Sequence, residues 1–129
     1  MFYLDTSAAA KLVLVERGST ALRRWLEPRE DRLFSSDLLR TELLRLTHRE
    51  APEHLSKARA VLEALILLDL TTEICERAAM VGPSHLRSLD ALHLAAAMQD
   101  RAALKGIVTY DDRLAAAASA LGIPVVAPR

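Results

Sequence analysis

Short apolar runs alternate along the chain with longer segments that carry apolar residues at helical spacing. The short runs are bounded by Gly, Pro, Ser, Thr or Asp and predict buried strands, whereas the longer segments predict helices. Strands are predicted at residues 2–4, 32–35, 67–70, 107–109 and 123–126. Helices are predicted at residues 8–15, 21–26, 37–48, 53–64, 73–80, 88–102 and 112–121.

This alternation predicts an α/β fold. Strands that are apolar throughout, each followed by a helix, are typical of a parallel sheet covered on both faces. We therefore expect a three-layer α/β/α sandwich with a short central parallel sheet, formed by a single domain over residues 1–129. Pro124 lies at the start of the last strand and indicates an edge position. We expect Thr6 or Ser7 to cap the first helix and Ser88 to cap the sixth.

Composition narrows the class of protein. Hydrophobic residues make up 51% of the chain and charged residues 26%, which excludes a disordered protein. Basic and acidic residues number 17 each, so net charge alone gives no reason to expect a nucleic-acid partner. The single cysteine, Cys75, excludes an internal disulfide framework. Asp5 and Lys11 interrupt the first apolar stretch, so we expect a cytoplasmic protein without a membrane span.

Four acidic residues occupy positions where folding alone favours apolar or neutral side chains. Asp5 and Asp111 follow predicted strands and precede helices, whereas Glu42 and Asp90 lie in strongly apolar helical segments. In an open α/β sheet, ligands bind beyond the carboxyl ends of the strands. If the first strand and the strand at 107–109 are neighbours, Asp5 and Asp111 face the same crevice. The alternative for each is an aspartate that only caps its helix.

Glu42 and Asp90 each have an ordinary alternative explanation as well. Glu42 falls within the apolar stripe of its helix, where a carboxylate is rare unless it is paired or bound to metal. Arg45 is close enough on the helix to be a salt-bridge partner. Asp90 lies in the first turn of its helix, where the helix dipole alone favours an acid.

Together the four acids predict a metal site. Carboxylates that converge without basic partners repel one another, and a divalent cation reverses that repulsion. Mg²⁺ or Mn²⁺ prefers carboxylate and water oxygens and leaves room for a phosphate. Hydrolysis of a phosphodiester by a metal-activated water is the chemistry that such a site serves best.

Four segments in this order also carry a family resemblance: DTSAAAKLVLVE, SSDLLRTELLRL, LRSLDALHLAAA and IVTYDDRLAAAASALGIPVV. Over nearly the whole chain, the sequence resembles a PIN-domain protein of the VapC toxin type. The resemblance implies a Mg²⁺- or Mn²⁺-dependent endoribonuclease, the toxin of a type II toxin–antitoxin pair. It further implies an RNA substrate, a cognate antitoxin that places a basic side chain in the acidic pocket, and a homodimer or a toxin–antitoxin hetero-oligomer.

The resemblance also implies roles for individual residues. The catalytic and metal-binding residues would be Asp5, Glu42, Asp90 and Asp111. Thr6 and Thr109 would orient a carboxylate or a water through their hydroxyl groups. The family pattern of threonine, any residue, aspartate favours Asp111 over its neighbour as the fourth acid, and leaves Asp112 as the helix cap.

Two other classes of function stay open at this point. A phosphoacceptor signalling domain also gathers acids at strand ends, but it needs a lysine near the pocket, and no lysine is an obvious candidate. A catalytically silent binding module could keep the same fold. We expect His93 to be a packed or solvent-bonded histidine, and Arg87 to contact phosphate or form a surface salt bridge.

Overall fold

The computed structural model describes residues 1–129 and contains one five-stranded sheet. Its strands are β1 (Phe2–Leu4), β2 (Leu33–Ser36), β3 (Ile66–Leu68), β4 (Gly106–Val108) and β5 (Val125–Val126). They lie in the order β3-β2-β1-β4-β5, and every neighbouring pair is parallel. The predicted short parallel sheet is confirmed.

Seven α-helices connect and cover the strands. They are α1 (Thr6–Val13), α2 (Ser19–Leu26), α3 (Asp37–Glu50), α4 (Leu55–Ala64), α5 (Thr72–Met80), α6 (Ser88–Ala97) and α7 (Asp112–Ala120). Single 3-10 turns precede α4 at Pro52–His54 and follow α6 at Met98–Asp100. None of the helices is long and apolar enough to pass through a bilayer.

The side chains of β1 alternate between the two faces of the sheet, as the pleat of a strand requires. Phe2 and Leu4 pack on one face in a cluster with Leu22 of α2. Tyr3 packs on the other face in a larger cluster with Leu94 of α6 and Leu114 of α7. A third cluster joins α1, α3 and α4. Helices therefore cover both faces, and the predicted α/β/α sandwich is confirmed.

The centre of the sheet determines which strand ends meet. β1 pairs with β2 on one side and with β4 on the other, where Leu4 lies opposite Val108. The residues that follow β1 and β4 consequently leave the same edge of the sheet side by side. At the start of β4, a Cβ on Gly106 would lie 2.8 Å from the Pro124 carbonyl oxygen, so the approach of the chain before β5 requires glycine there.

Several element boundaries differ from the predicted ones. β3 begins at Ile66 and ends at Leu68, and β5 contains only Val125–Val126. The sixth helix ends at Ala97 instead of continuing to residue 102. The chain turns there, so that Leu104 reaches the core and the Lys105 amide donates to the Met1 carbonyl at 2.8 Å. The segment around Ala97 is apolar and rich in alanine, so its hydrophobic pattern does not indicate where the helix ends.

Two predicted helix caps are also wrong. Asp5, and not Thr6 or Ser7, caps α1 by accepting a hydrogen bond from the Ala8 amide. Arg87 occupies the cap position of α6 without a side-chain hydrogen bond, and Ser88 is the first helical residue. Asp, Ser and Thr are all good capping residues, so composition alone does not choose among adjacent candidates.

Candidate active site

Asp5 is the most firmly held of the four acids. It follows β1, is only 4% exposed, and accepts hydrogen bonds at both carboxylate oxygens. Oδ1 accepts from the Ser7 hydroxyl at 2.7 Å and from the Ala8 amide at 3.0 Å, and Oδ2 accepts from the Thr109 hydroxyl at 2.7 Å. Burial raises the pKa of Asp5 above its ordinary value, although these hydrogen bonds act in the opposite direction.

Thr109 links Asp5 to the acid that follows β4. Its hydroxyl donates to Asp5 and accepts from the Asp111 amide at 3.1 Å. Asp111 caps α7, with Oδ1 accepting from the Leu114 amide at 2.9 Å. Asp112 is the first residue of the helix and is exposed, so the expectation that it would be the cap is wrong.

Glu42 lies on α3 and is held by two neighbouring elements. Its Oε1 accepts from the Thr6 hydroxyl at 2.7 Å and lies 2.6 Å from Nε2 of His93. The other ring nitrogen of His93 lies 2.7 Å from the Tyr3 hydroxyl, which itself donates to Ser36 at 3.1 Å. The basic neighbour of Glu42 is therefore a buried histidine from α6, and Arg45 makes no ion pair with it.

Burial and hydrogen bonding compete at Glu42. Burial raises its pKa, but the hydrogen bonds from His93 and Thr6 outweigh that effect, and the pKa lies below its ordinary value. Burial also raises the pKa of the Tyr3 hydroxyl, which keeps that group a neutral hydrogen-bonding partner of His93.

Asp90 has no hydrogen-bonding partner in the protein, and it is partly exposed in the first turn of α6. Burial raises its pKa, and the negative charge of Asp111 raises it further. Asp90 is thus close enough to Asp111 and Glu42 to feel their charges. Asp5 and Asp111 follow the neighbouring strands β1 and β4, and Glu42 contacts Thr6 just after β1.

Comparison with known proteins identifies the family. The model of the family described as PIN domain matches residues 2–120. The chain belongs to the PIN-domain family. Two curated PIN-domain relatives come from Mycobacterium tuberculosis: Ribonuclease VapC47 is 40% identical, over 99% of this chain and 97% of its own length. Ribonuclease VapC35 is 43% identical over the same shares of the two chains.

Solved structures agree on the PIN-domain fold. The crystal structure of Mycobacterium tuberculosis VapC20, described as a toxin that cleaves the sarcin–ricin loop, superposes with a TM-score of 0.78 at 18% identity. That comparison covers 99% of this chain and 100% of the other. A toxin–antitoxin complex from Klebsiella pneumoniae gives a TM-score of 0.76 at 22% identity, covering 100% of this chain and 98% of the other.

The acids of this PIN domain suit a hard divalent cation. Asp5, Asp90 and Asp111 make no ion pair with any basic side chain of the protein, so their charges are free for an external cation. No three His, Cys, Asp or Glu side chains are close enough to chelate a metal by themselves. Mg²⁺ typically binds through one or two carboxylates and retains several waters, so it does not require three converging side chains. No lysine pairs with the four acids, as a phosphoacceptor domain would require.

The network around His93 was not predicted from the sequence. His93 is buried as expected, but its contacts with Glu42 and Tyr3 join residues far apart in the chain. Ser7 was considered only as a cap, whereas its hydroxyl donates to Asp5 and also accepts from the Tyr110 amide at 2.8 Å. The one available signal was the spacing of Asp90 and His93, which places both on α6.

Proposed function

We propose that this protein is a Mg²⁺- or Mn²⁺-dependent endoribonuclease, the toxin of a type II toxin–antitoxin pair, acting on cytoplasmic RNA. The observation that supports the proposal is the position of Asp5 and Asp111 after the neighbouring strands β1 and β4, with Asp90 close enough to feel the charge of Asp111. Relatives named as VapC ribonucleases that align over nearly the full chain support it. A PIN domain with ribonuclease activity accounts for these similarities, and the metal ion and the RNA substrate are what we propose in addition.

The residues would divide the work as follows. One or two of Asp5, Asp90 and Asp111 would bind the cation directly and the rest through its waters, because their carboxylates form no ion pair within the protein. Ser7 and Thr109 fix the orientation of Asp5, so that its carboxylate needs no rearrangement when the cation binds. Thr6 and His93 hold Glu42 at the edge of the same site.

A bound divalent cation would lower the pKa of a water and neutralise charge on the scissile phosphate. Attack by water on phosphorus, with loss of its proton, would break the bond to the 3′ oxygen, which would leave and take up a proton. The products would carry 5′-phosphate and 3′-hydroxyl ends. This reaction does not use the 2′-hydroxyl of RNA. Fragments that end in 2′,3′-cyclic phosphate would contradict the mechanism.

The test is cleavage of a total RNA pool with mapping of the new 5′-phosphate ends. We expect discrete cleavage sites with Mg²⁺ or Mn²⁺ and none with EDTA. Asp111→Asn should remove cleavage, whereas Asp112→Asn, at the adjacent exposed position, serves as the matched control and should retain it. Equal loss in both variants would contradict the choice of Asp111 as the fourth acid.

The same proposal covers the partners. One of the solved structures with this fold is a toxin–antitoxin complex. This similarity supports the proposal that a cognate antitoxin binds this chain. A groove between α1 and α3, lined by Thr6, Leu14 and Leu46 among others, borders the acidic site and could receive part of that antitoxin. We propose a homodimer for the free protein, which light scattering at several concentrations would test.

A further inference from the structure

A cavity of about 540 Å³ lies between the 83–87 segment and α7. Its lining is mainly apolar and includes Leu86, Ala116 and Ala120, with the imidazole ring of His85 on the same wall. Cavities that bind small organic groups span roughly 300–1,000 Å³. None of these lining residues has a role in the acidic site described above.

The cavity borders the acidic site through two arginines in its lining. Arg87 precedes α6 by one residue and Asp90 by three, and Arg113 follows Asp111 by two. Burial raises the pKa of Asp90, and Arg87 is close enough for its positive charge to oppose that effect. Arg87 occupies the cap position of α6, whose first turn holds Asp90, and Arg113 lies in the first turn of α7, which Asp111 caps.

Neither arginine is engaged within the protein. Arg87 and Arg113 form no ion pair, so the surface salt bridge considered for Arg87 is not present. Other arginines, such as Arg59, are also unpaired, but they do not line a cavity beside the acids. Two free guanidinium groups next to an apolar cavity complement a ligand that is anionic at one part and flat and apolar at another.

We propose that this cavity is a subsite for one unpaired nucleotide of the RNA strand, adjacent to the phosphate that is cleaved. The base enters the apolar cavity, and Arg87 and Arg113 contact the flanking phosphates. The inference rests on the proposed ribonuclease function and adds a site for substrate selection to it.

Single-stranded RNA fits these features better than an acidic peptide does. Proteins that read unpaired RNA stack its bases on histidine rings or arginine planes, and His85, Arg87 and Arg113 supply both. An acidic peptide would use the two positive charges but would leave the apolar volume unfilled. The acidic site repels phosphate when it holds no cation, and nearby arginines would offset that repulsion.

The first test measures binding of a short, fluorescently labelled single-stranded RNA of random sequence, in EDTA so that it is not cleaved. Loss of one phosphate contact should reduce the slope of log K against log salt by about 0.7. We expect that reduction for Arg113→Gln. Arg59→Gln, on the exposed surface of α4, is the matched control and should keep the wild-type slope.

The second test fills the cavity. Ala116→Leu keeps a good helix former at an exposed position of α7 and projects into the cavity, whereas Ser119→Leu on the same helix does not line it. We expect Ala116→Leu to weaken RNA binding roughly 5- to 150-fold, the range for losing one stacked base. A strand of the same length in which every nucleotide is abasic should bind the wild type and Ala116→Leu equally well. Circular dichroism checks that both leucine variants fold.

The outcomes separate the inference from the proposed function. Wild type that neither binds RNA in EDTA nor cleaves RNA with Mg²⁺ or Mn²⁺ would overturn both. Wild type that cleaves RNA with the metal but binds none in EDTA would overturn the subsite alone. RNA binding and cleavage that are unchanged in Arg113→Gln and Ala116→Leu would overturn the subsite alone. If an acidic peptide competes for the site and loses affinity in both variants while RNA does not, the cavity belongs to a protein partner and the inference is wrong.

Discussion

The acidic site has two sides that differ in how the protein treats negative charge. On one side, Glu42 receives hydrogen bonds from His93 and Thr6, and its pKa lies below its ordinary value despite burial. On the other side, burial raises the pKa values of Asp5 and Asp90. Asp5 accepts hydrogen bonds from three donors but forms no ion pair, and Asp90 has neither a hydrogen-bond donor nor an ion pair.

This difference indicates where an external cation is needed. The protein already supplies Glu42 with a basic neighbour, so further positive charge there gains little. Asp5, Asp90 and Asp111 form no ion pair, and the nearby charge of Arg87 leaves the pKa of Asp90 raised. A cation there would relieve both the cost of burial and the repulsion between carboxylates. We therefore expect the metal on the aspartate side, with Glu42 at its margin.

The largest expected effect is on metal binding by Asp90→Asn. Residues that only support a metal ligand change affinity by roughly 10- to 100-fold, so removal of a ligand should cost more than about 100-fold. Titration calorimetry with Mn²⁺ measures this, and Asp69→Asn, an exposed aspartate after β3, is the control. Wild-type affinity in Asp90→Asn would place the cation away from the aspartate side.

The second prediction separates Asp5 from Asp90 by stability. Asp5→Ala removes the cap of α1 and leaves the donors of Ser7, Ala8 and Thr109 without their acceptor. We expect the free energy of unfolding in urea to fall by about 2 kcal/mol. Asp90→Ala removes no hydrogen bond and relieves repulsion, so its effect should stay within about 0.5 kcal/mol or be stabilising. Equal losses would show that the hydrogen bonds to Asp5 contribute little.

The same two sides show what a sequence can reveal. The position of the aspartate side could be predicted from chain topology. The carboxyl ends of neighbouring parallel strands lie at the same edge of the sheet, and Asp5 and Asp111 come just after β1 and β4. Whether Asp111 or Asp112 caps α7 depends on the local backbone conformation, which the amino-acid sequence alone does not specify. The sheet and its helices were predictable for the same reason, since short apolar strands between helices leave few other arrangements.

Only part of the Glu42 side could be predicted from the sequence. The position of Glu42 in an apolar stripe showed that something must compensate it, and the sequence offered Arg45 as a local candidate. The actual partner, His93, is 51 residues away in the chain and meets Glu42 through the packing of α6 against α3. Contacts of that kind depend on how two helices are placed against each other, which hydrophobic periodicity does not encode.

A third prediction tests whether His93 positions Glu42. His93→Leu keeps a similar volume but leaves Glu42 with only the Thr6 hydroxyl as donor. We expect RNA cleavage, as kcat/KM, to fall roughly 10-fold, in the range for residues that orient another group. Tyr3→Phe, which removes the support on the far side of the ring, should cost less. His48→Leu, an exposed histidine of α3, is the control.

The pH profile of cleavage provides a second measurement for this test. A purely structural role of His93 would not change that profile. Loss of the imidazole should let the pKa of Glu42 rise, because burial then acts with less opposition. The pH profile of cleavage by His93→Leu should therefore shift upward on its acidic limb. Loss of activity with an unchanged profile would mean that His93 acts only by packing.

The smallest expected effect is on the pH dependence of stability, where the two sides have opposite signs. The pKa of Glu42 is lowered on folding from an ordinary value of 4.5, so its contribution is present above that pH and is lost as pH falls through the folded pKa. The pKa of Asp5 is raised from 3.8, so its contribution is present below that pH and is lost as pH rises through the folded pKa. The two effects oppose each other.

Glu42→Gln should isolate one of them. Urea unfolding from about pH 3 to about pH 7 should show a smaller loss of stability on acidification than in the wild type, by less than about 1 kcal/mol because Glu42 is partly solvated. Glu63→Gln, at an exposed position of α4, should keep the wild-type profile. A wild-type profile in Glu42→Gln would mean that His93 and Thr6 do not favour the charged form, and the contrast between the two sides would then reduce to a difference in burial.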